Sequence, residues 1–226
     1  MLDLFLPAEC GGCAAPATRW CPACAAELVV KPDEPHVVNP RVDPGVPVFA
    51  LGRYANTRRR ALLALKEHGR ADLVAPLAGA LAVAVHRLLC WGIVATPLTV
   101  VPAPTPTVGR APPRRDPVTR LARAAVARHP DIAVASVLRI RALTRDSVGL
   151  GTAERERNIA GRVVLRGRPA PLPGADVLVV DDVVTTGATA RESVRVLHAA
   201  GARSPPCWRS RRRESRCEEH ATARRN

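Results

Sequence analysis

Lysine is almost missing from this 226-residue chain: Lys31 and Lys66 are the only two, so nearly all of its 34 basic residues are arginine. Aromatic side chains are scarce as well, at 3%. Grooves that hold single-stranded nucleic acid stack bases on aromatic rings, and this chain has few to offer. The formal charge of +14 still invites a polyanionic partner. Yet the arginines accompany abundant Ala, Pro and Gly along the whole chain, which reads as a compositional bias rather than a selected basic face. From Arg203 onward, eight Arg against three Glu supply +5 of that charge.

Long apolar runs are missing too. The start, Met1-Leu2-Asp3-Leu4-Phe5-Leu6-Pro7, has no basic region and no extended apolar segment, so no signal peptide is expected. The most apolar stretch, Leu73 to Val85, contains Pro76 and gives way to His86-Arg87. A spanning helix needs about 20 apolar residues, so no membrane span is expected there. The expected location is cytoplasmic and reducing, where clustered cysteines serve more often as metal ligands than as disulfides.

What is present fits one α/β core with a small appendage. Four cysteines open the chain as two C-x-x-C pairs: Cys10 with Cys13, and Cys21 with Cys24. Two such pairs can close a four-sulfur structural zinc site, with Pro7, Gly11, Gly12 and Pro22 suited to the turns around it. A redox pair, or reduced thiols with no role, would use the same letters. Cys90, Cys207 and Cys217 lack partner spacing. Residues 1–30 therefore read as a Cys₄ module of the double-zinc-ribbon kind, and the Pro-rich 31–47 as a linker.

Beyond it, Val48 to Tyr54 suggests a short strand, and Arg58 to His68 and Asp72 to Leu89 suggest helices parted by Gly69. Leu62, Leu65, Leu73, Leu77, Leu81 and Leu88 recur at near-helical spacing, a core pattern. Leu98 to Val101 reads as a strand and Pro117 to Arg128 as an amphipathic helix, with Val118, Leu121, Ala122, Ala125 and Val126 on one face. Asp131 to Leu143 suggests one strand. Val163 to Leu165 and Asp176 to Val180 suggest two more, and Gly187 to Ala200 a helix. This alternation predicts an α/β fold with a mostly parallel sheet flanked by helices.

One segment carries chemistry. Val177-Leu178-Val179-Val180 has the continuous apolar character of a strand buried in a parallel sheet. Asp181 and Asp182 follow at its carboxyl end, where open α/β sheets place their ligands. Then come Thr185, Thr186, Gly187, Ala188 and Thr189, opening onto a helix. Such a loop offers amides, hydroxyls and a helix N-terminus to a phosphate. Carboxylates beside an anion cradle suit a ribose phosphate: the acids accept from ring hydroxyls while the loop holds the 5′-phosphate.

In this order the residues resemble the phosphoribosyl-diphosphate (PRPP) signature of type I phosphoribosyltransferases. The paired C-x-x-C motifs, Tyr54 with Arg59, Leu65-Lys66-Glu67-His68-Gly69, and Val100-Val101-Pro102-Ala103-Pro104 resemble the ComF family of competence-associated proteins. So do Arg139 to Thr144 and Glu154 to Gly161. The resemblance runs from about Cys10 to Arg203, and it implies a phosphoribosyltransferase domain over 48–203. It implies that Mg²⁺ accompanies PRPP, that Asp181 and Asp182 position the ribose and the metal, and that 185–189 hold the 5′-phosphate. Pro102, Ala103 and Pro104 would form a pyrophosphate loop, and Arg155, Arg157 and Asn158 a flexible loop closing over the ligand. Related loops that act on 6-oxopurines carry an acid where this chain has Thr185, so a hypoxanthine or guanine acceptor is not expected. No general base stands out.

Two departures from the family pattern stand out. Arg114-Arg115-Asp116-Pro117-Val118 lacks the glycine of the corresponding family stretch. After Gly201-Ala202-Arg203, where an apolar strand is due, residues 204–226 are rich in Arg, Ser and Glu without periodicity, as in a disordered tail or a shifted reading frame. Three functions stay open: a phosphoribosyltransferase with an unidentified nitrogen acceptor, a non-catalytic PRPP or nucleotide binder acting with DNA-uptake machinery, and a basic protein that binds single-stranded DNA.

Overall fold

A computed structural model describes residues 9–105, 116–141, 159–166 and 176–202. Its elements, in chain order, are α1 (Pro22–Leu28), β1 (His36–Val38), β2 (Val48–Ala50), α2 (Asn56–Glu67), α3 (Val74–Cys90), β3 (Leu98–Pro102), α4 (Pro117–Val126), β4 (Ile132–Val134), β5 (Leu138–Ile140), β6 (Val163–Leu165), β7 (Asp176–Val180) and α5 (Ala188–Ala199). The molecule is mixed α/β.

Its centre is a parallel three-stranded sheet in the order β4-β3-β7. β3, paired along both edges, is buried throughout. One face of the sheet, through Leu98 and Val100, packs on α3 and α4, and the other, through Val101, packs on α5. The amphipathic stripe of α4 is fully used, since Val118, Leu121, Ala122, Ala125 and Val126 are all buried. Asp116 caps that helix by accepting from the Thr119 amide at 2.8 Å. Leu65, Leu73, Leu77 and Leu88 are buried as their spacing requires, with Leu62 and Leu81 packed at the margin.

Three expectations change. Asp131 to Leu143 forms two strands, β4 in the central sheet and β5 paired antiparallel with β6. The proline-rich stretch is not bare connection: β1 lies within it and pairs antiparallel with β2. Its Glu34 is buried and receives both guanidinium donors of Arg58, at 3.1 and 3.0 Å. β7 follows an apolar sequence that predicts burial on both faces, yet every residue in it is only partly buried.

Pro76 does not interrupt the apolar run, because it sits in the first turn of α3, where an amide donor would have no partner in the helix. The run Ala71–Cys90, 20 residues with mean hydropathy 1.9, is thus long and apolar enough to cross a membrane by length and composition. In this structure Leu77, Ala78, Val85 and Leu88 of that helix are buried in the core.

Candidate functional site

Asp181 and Asp182 leave the carboxyl end of β7, at the top of the parallel sheet. The register sets Pro102 beside Val180, and the Ala103 amide donates to the Val180 carbonyl at 2.8 Å. The ladder therefore continues past β3 and lays Pro102-Ala103-Pro104 alongside the approach to the acids. Thr105 donates to Asp116 at 2.9 Å, which ties the two ends of the undescribed 106–115 segment together. The expected pyrophosphate-loop residues and the acid pair are brought together.

The two acids occupy different surroundings. Asp181 accepts from the Asp182 amide at 2.9 Å. Burial, then the neighbouring Asp182 carboxylate, pushes the Asp181 carboxyl up to about 7. Asp182 Oδ2 is buried, and its facing group is the Lys66 ammonium, near the C-terminal end of α2. A buried carboxylate left without a cation is costly, so this pair calls for positive charge and Lys66 supplies some of it. In the sequence Lys66 stands out only as part of Leu65-Lys66-Glu67-His68-Gly69. Its signal was composition, because a chain that uses arginine almost everywhere keeps a lysine here.

The loop after the acids turns into α5 through Gly187, the N-cap, at φ +88. A side chain there is excluded twice: by that left-handed backbone, and by the Val42 carbonyl, which an added Cβ would meet at 2.4 Å. Ala188 and Thr189 open the helix and Thr185 is exposed. The Ala188 amide donates to Thr186 Oγ1 at 3.4 Å, and Gly187 as N-cap brings no side chain, so the amides that follow in the first turn face the loop with no side-chain cap from the N-cap residue and suit an anion. The Val42 amide donates to the Thr186 carbonyl at 2.8 Å, so the proline-rich stretch buttresses the loop from behind.

Arg155, Arg157 and Asn158 lie outside the described residues, as do Arg114 and Arg115. The segment that follows them is anchored: Glu192 of α5, buried, accepts from the Gly161 amide at 2.8 Å and from Arg195.

The four N-terminal cysteines form a second cluster. The sulfurs of Cys10, Cys13, Cys21 and Cys24 all lie within 4.8 Å of one another, with Cys13 and Cys21 at 3.6 Å. Tetrahedral zinc with bonds of about 2.3 Å sets its sulfurs about 3.8 Å apart, so the cluster is of the right size for a metal such as zinc. Amides of Gly12 and Cys21 point at Cys10 Sγ, at 3.5 and 3.4 Å. Burial opposes ionisation of Cys10, but those donations outweigh it and bring the thiol down to about 6. Burial pushes Cys24 up to about 12, so all four sulfurs would ionise together only beside a bound cation. Cys24 Sγ also touches Thr57 Oγ1 of α2 at 3.5 Å. A Cβ on Gly12 would meet Cys24 Sγ at 2.5 Å and Thr57 at 2.8 Å, so glycine permits this close approach.

No family model matches the chain, and no curated protein matches it either.

Proposed function

We propose that the chain binds PRPP with Mg²⁺ at the end of β7 and transfers the phosphoribosyl group to a nitrogen acceptor, as a ComF-like phosphoribosyltransferase with zinc in its Cys₄ module. The observation that carries this reading is the partly buried acid pair at the carboxyl end of a parallel strand, followed in the same loop by a glycine N-cap in the left-handed conformation that opens a helix N-terminus. An anion alone would not tolerate the acids, and a cation alone would have no use for the loop. A ribose phosphate uses both.

The roles follow from placement. Asp181 and Asp182 accept hydrogen bonds from the ribose hydroxyls and offer oxygens to a magnesium ion. The amides of 187–189 and the hydroxyls of Thr185, Thr186 and Thr189 hold the 5′-phosphate, a remote handle whose binding energy helps orient C1. Pro102, Ala103 and Pro104 line the side from which a diphosphate leaves. Bound magnesium would neutralise that leaving group as positive charge develops on the sugar. Lys66 adds a fixed cation beside Asp182. The C1–O bond to diphosphate breaks, a C1–N bond forms, and the acceptor nitrogen loses its proton to solvent.

Radiolabelled PRPP with Mg²⁺ should bind the wild type, and binding should be lost in a doubly substituted D181N/D182N protein. Equal binding by both would overturn the reading. Pyrophosphate release across a panel of bases and amines then separates turnover from binding without chemistry, the state expected of a nucleotide sensor. Zinc content near one equivalent per chain is the expectation for the cysteine cluster.

A further inference from the structure

β7 pairs with β3 along one edge; among the described residues its other edge pairs with nothing. A cavity of about 850 Å³ runs there, touching Val177, Leu178, Val179 and Val180 in succession. Neighbouring residues of a strand point to opposite faces, so a cavity that meets four in a row lies beside the strand and not over one face. Leu197 lines it from the cluster on the α5 side of the sheet, and Leu81 of α3 and Phe49 of β2 line it from the cluster on the other. This is the environment of an interior strand in a parallel sheet covered by helices on both faces.

The chain arrives at the mouth of this slot. Past α5 it turns through Gly201, at φ +87, and the Ala202 amide reaches back to the Leu197 carbonyl at 3.0 Å. Ala202 lines the cavity and, like Val177 and Val179, packs against the cluster that holds Val196 and Leu197. A segment continuing into the slot would run parallel to β7, completing a strand-helix-strand unit through α5. The sequence from Ser204 does not suit that place. Pro205 and Pro206 bring no amide to the β7 edge, and Arg209, Arg211, Arg212 and Arg213 would carry unpaired charge between apolar walls.

The genetic code offers a segment that does suit it. Let each codon be read one base earlier, joining its predecessor's last base to its own first two, with serine as TCN and arginine as CGN. Ser204 and Ser210 then become NTC, which is Phe, Leu, Ile or Val for any N. Cys207 becomes NTG, which is Leu, Met or Val. Trp208 becomes leucine whichever cysteine codon precedes it, and Arg209 becomes alanine, because the only tryptophan codon ends in G. Pro205, Pro206 and Arg211 become Ala, Ser, Thr or Pro. With G in the free third positions the segment after Arg203 reads Val-Ala-Ala-Val-Leu-Ala-Val-Ala. It is continuously apolar, as a strand walled on both faces must be.

We infer that the slot beside β7 is the seat of a fourth parallel strand, and that this apolar strand is encoded by the nucleotides of Arg203 to Arg211 read one base earlier. The inference is independent of what the acid pair binds. The coding DNA is the first test: AGY serine codons at 204 and 210 would place Gln, Lys, Glu or a stop in the shifted frame and overturn it. The second compares two full chains, one as given and one continuing in the shifted frame after Arg203. The shifted chain should bind the apolar dye ANS several-fold less and melt about 5 °C or more higher. Equal dye binding and melting, or a less stable shifted chain, would refute the inference. In a third chain, a proline at the middle of the new strand removes a ladder donor and should cancel both gains. Gains that survive the proline would mean the added residues act without pairing, which also refutes it.

Discussion

Asp181 sits where two demands conflict: it is partly desolvated next to another carboxylate, and it is wanted charged by any ligand that brings a cation. With its carboxyl raised to about 7, the folded protein holds a proton that the unfolded chain releases near 4. Between those values the native state binds more protons, so stability falls as pH rises from about 4 to 7 and is flat above. Asp181→Asn removes the titrating group while keeping its shape. We expect the variant to melt above the wild type at pH 8, with the gap closing towards pH 4; a constant gap in a pH series of melting curves would contradict this. Affinity for Mg²⁺ and PRPP should move the other way in the wild type, rising through pH 7 as Asp181 ionises.

Lys66 belongs to the same account. Lys66→Met leaves Asp182 Oδ2 buried without a facing cation, so the variant should lose tenfold or more in PRPP affinity, measured by titration with labelled ligand. Lys66→Arg keeps the charge and should recover part of the loss.

Element by element, the sequence was most legible where periodicity was strong. α4 displays its apolar stripe openly, and the two leucine-bearing helices fall within two residues of their expected starts. Hydrogen-bond partners were not legible. Nothing in Val177 to Val180 distinguishes an edge strand from a central one, because an apolar run records intended burial and not whether a neighbour is present. The proline-rich stretch hid β1 because three-residue strands carry almost no alternation to read. Of the site, the acids, the glycine and the cysteine pairs were legible as chemistry. Their connection was not, since it runs through a helix.

That helix is α2. Thr57 in its first turn touches Cys24, and Lys66 near its last turn faces Asp182; nine residues of helix rise separate them by about 14 Å. The cysteine cluster thus fixes one end of a rod whose other end reaches the acid pair. Removing the metal with a chelator should loosen the first turn of α2, raise its amide exchange, and weaken PRPP binding several-fold without unfolding the sheet. Chelation that speeds exchange only within residues 10–24 and leaves ligand affinity intact would show that the module and the site are independent.

At the scale of the whole molecule, charge is the property to weigh. A chain of +14 will retain DNA at low ionic strength whatever its function, because each neutralised phosphate releases a counterion. A dedicated DNA-binding face would keep its affinity when remote arginines are removed; a diffuse excess would not. Ending the chain at Arg203 removes seven Arg and three Glu, a net +4, without touching α2, β7 or α5. We expect this truncation to weaken DNA retention at 50 mM salt and to reduce the salt slope, while PRPP binding stays unchanged. Both forms should release DNA by about 0.3 M salt without sequence preference, as measured by filter binding with competitor. DNA binding that outlasts both truncation and salt would place the partner on the folded surface and move the nucleic-acid reading ahead of the sugar-phosphate one. Loss of DNA alone leaves the acid pair and the loop through Gly187 as the selected features of this fold, with the arginines as background.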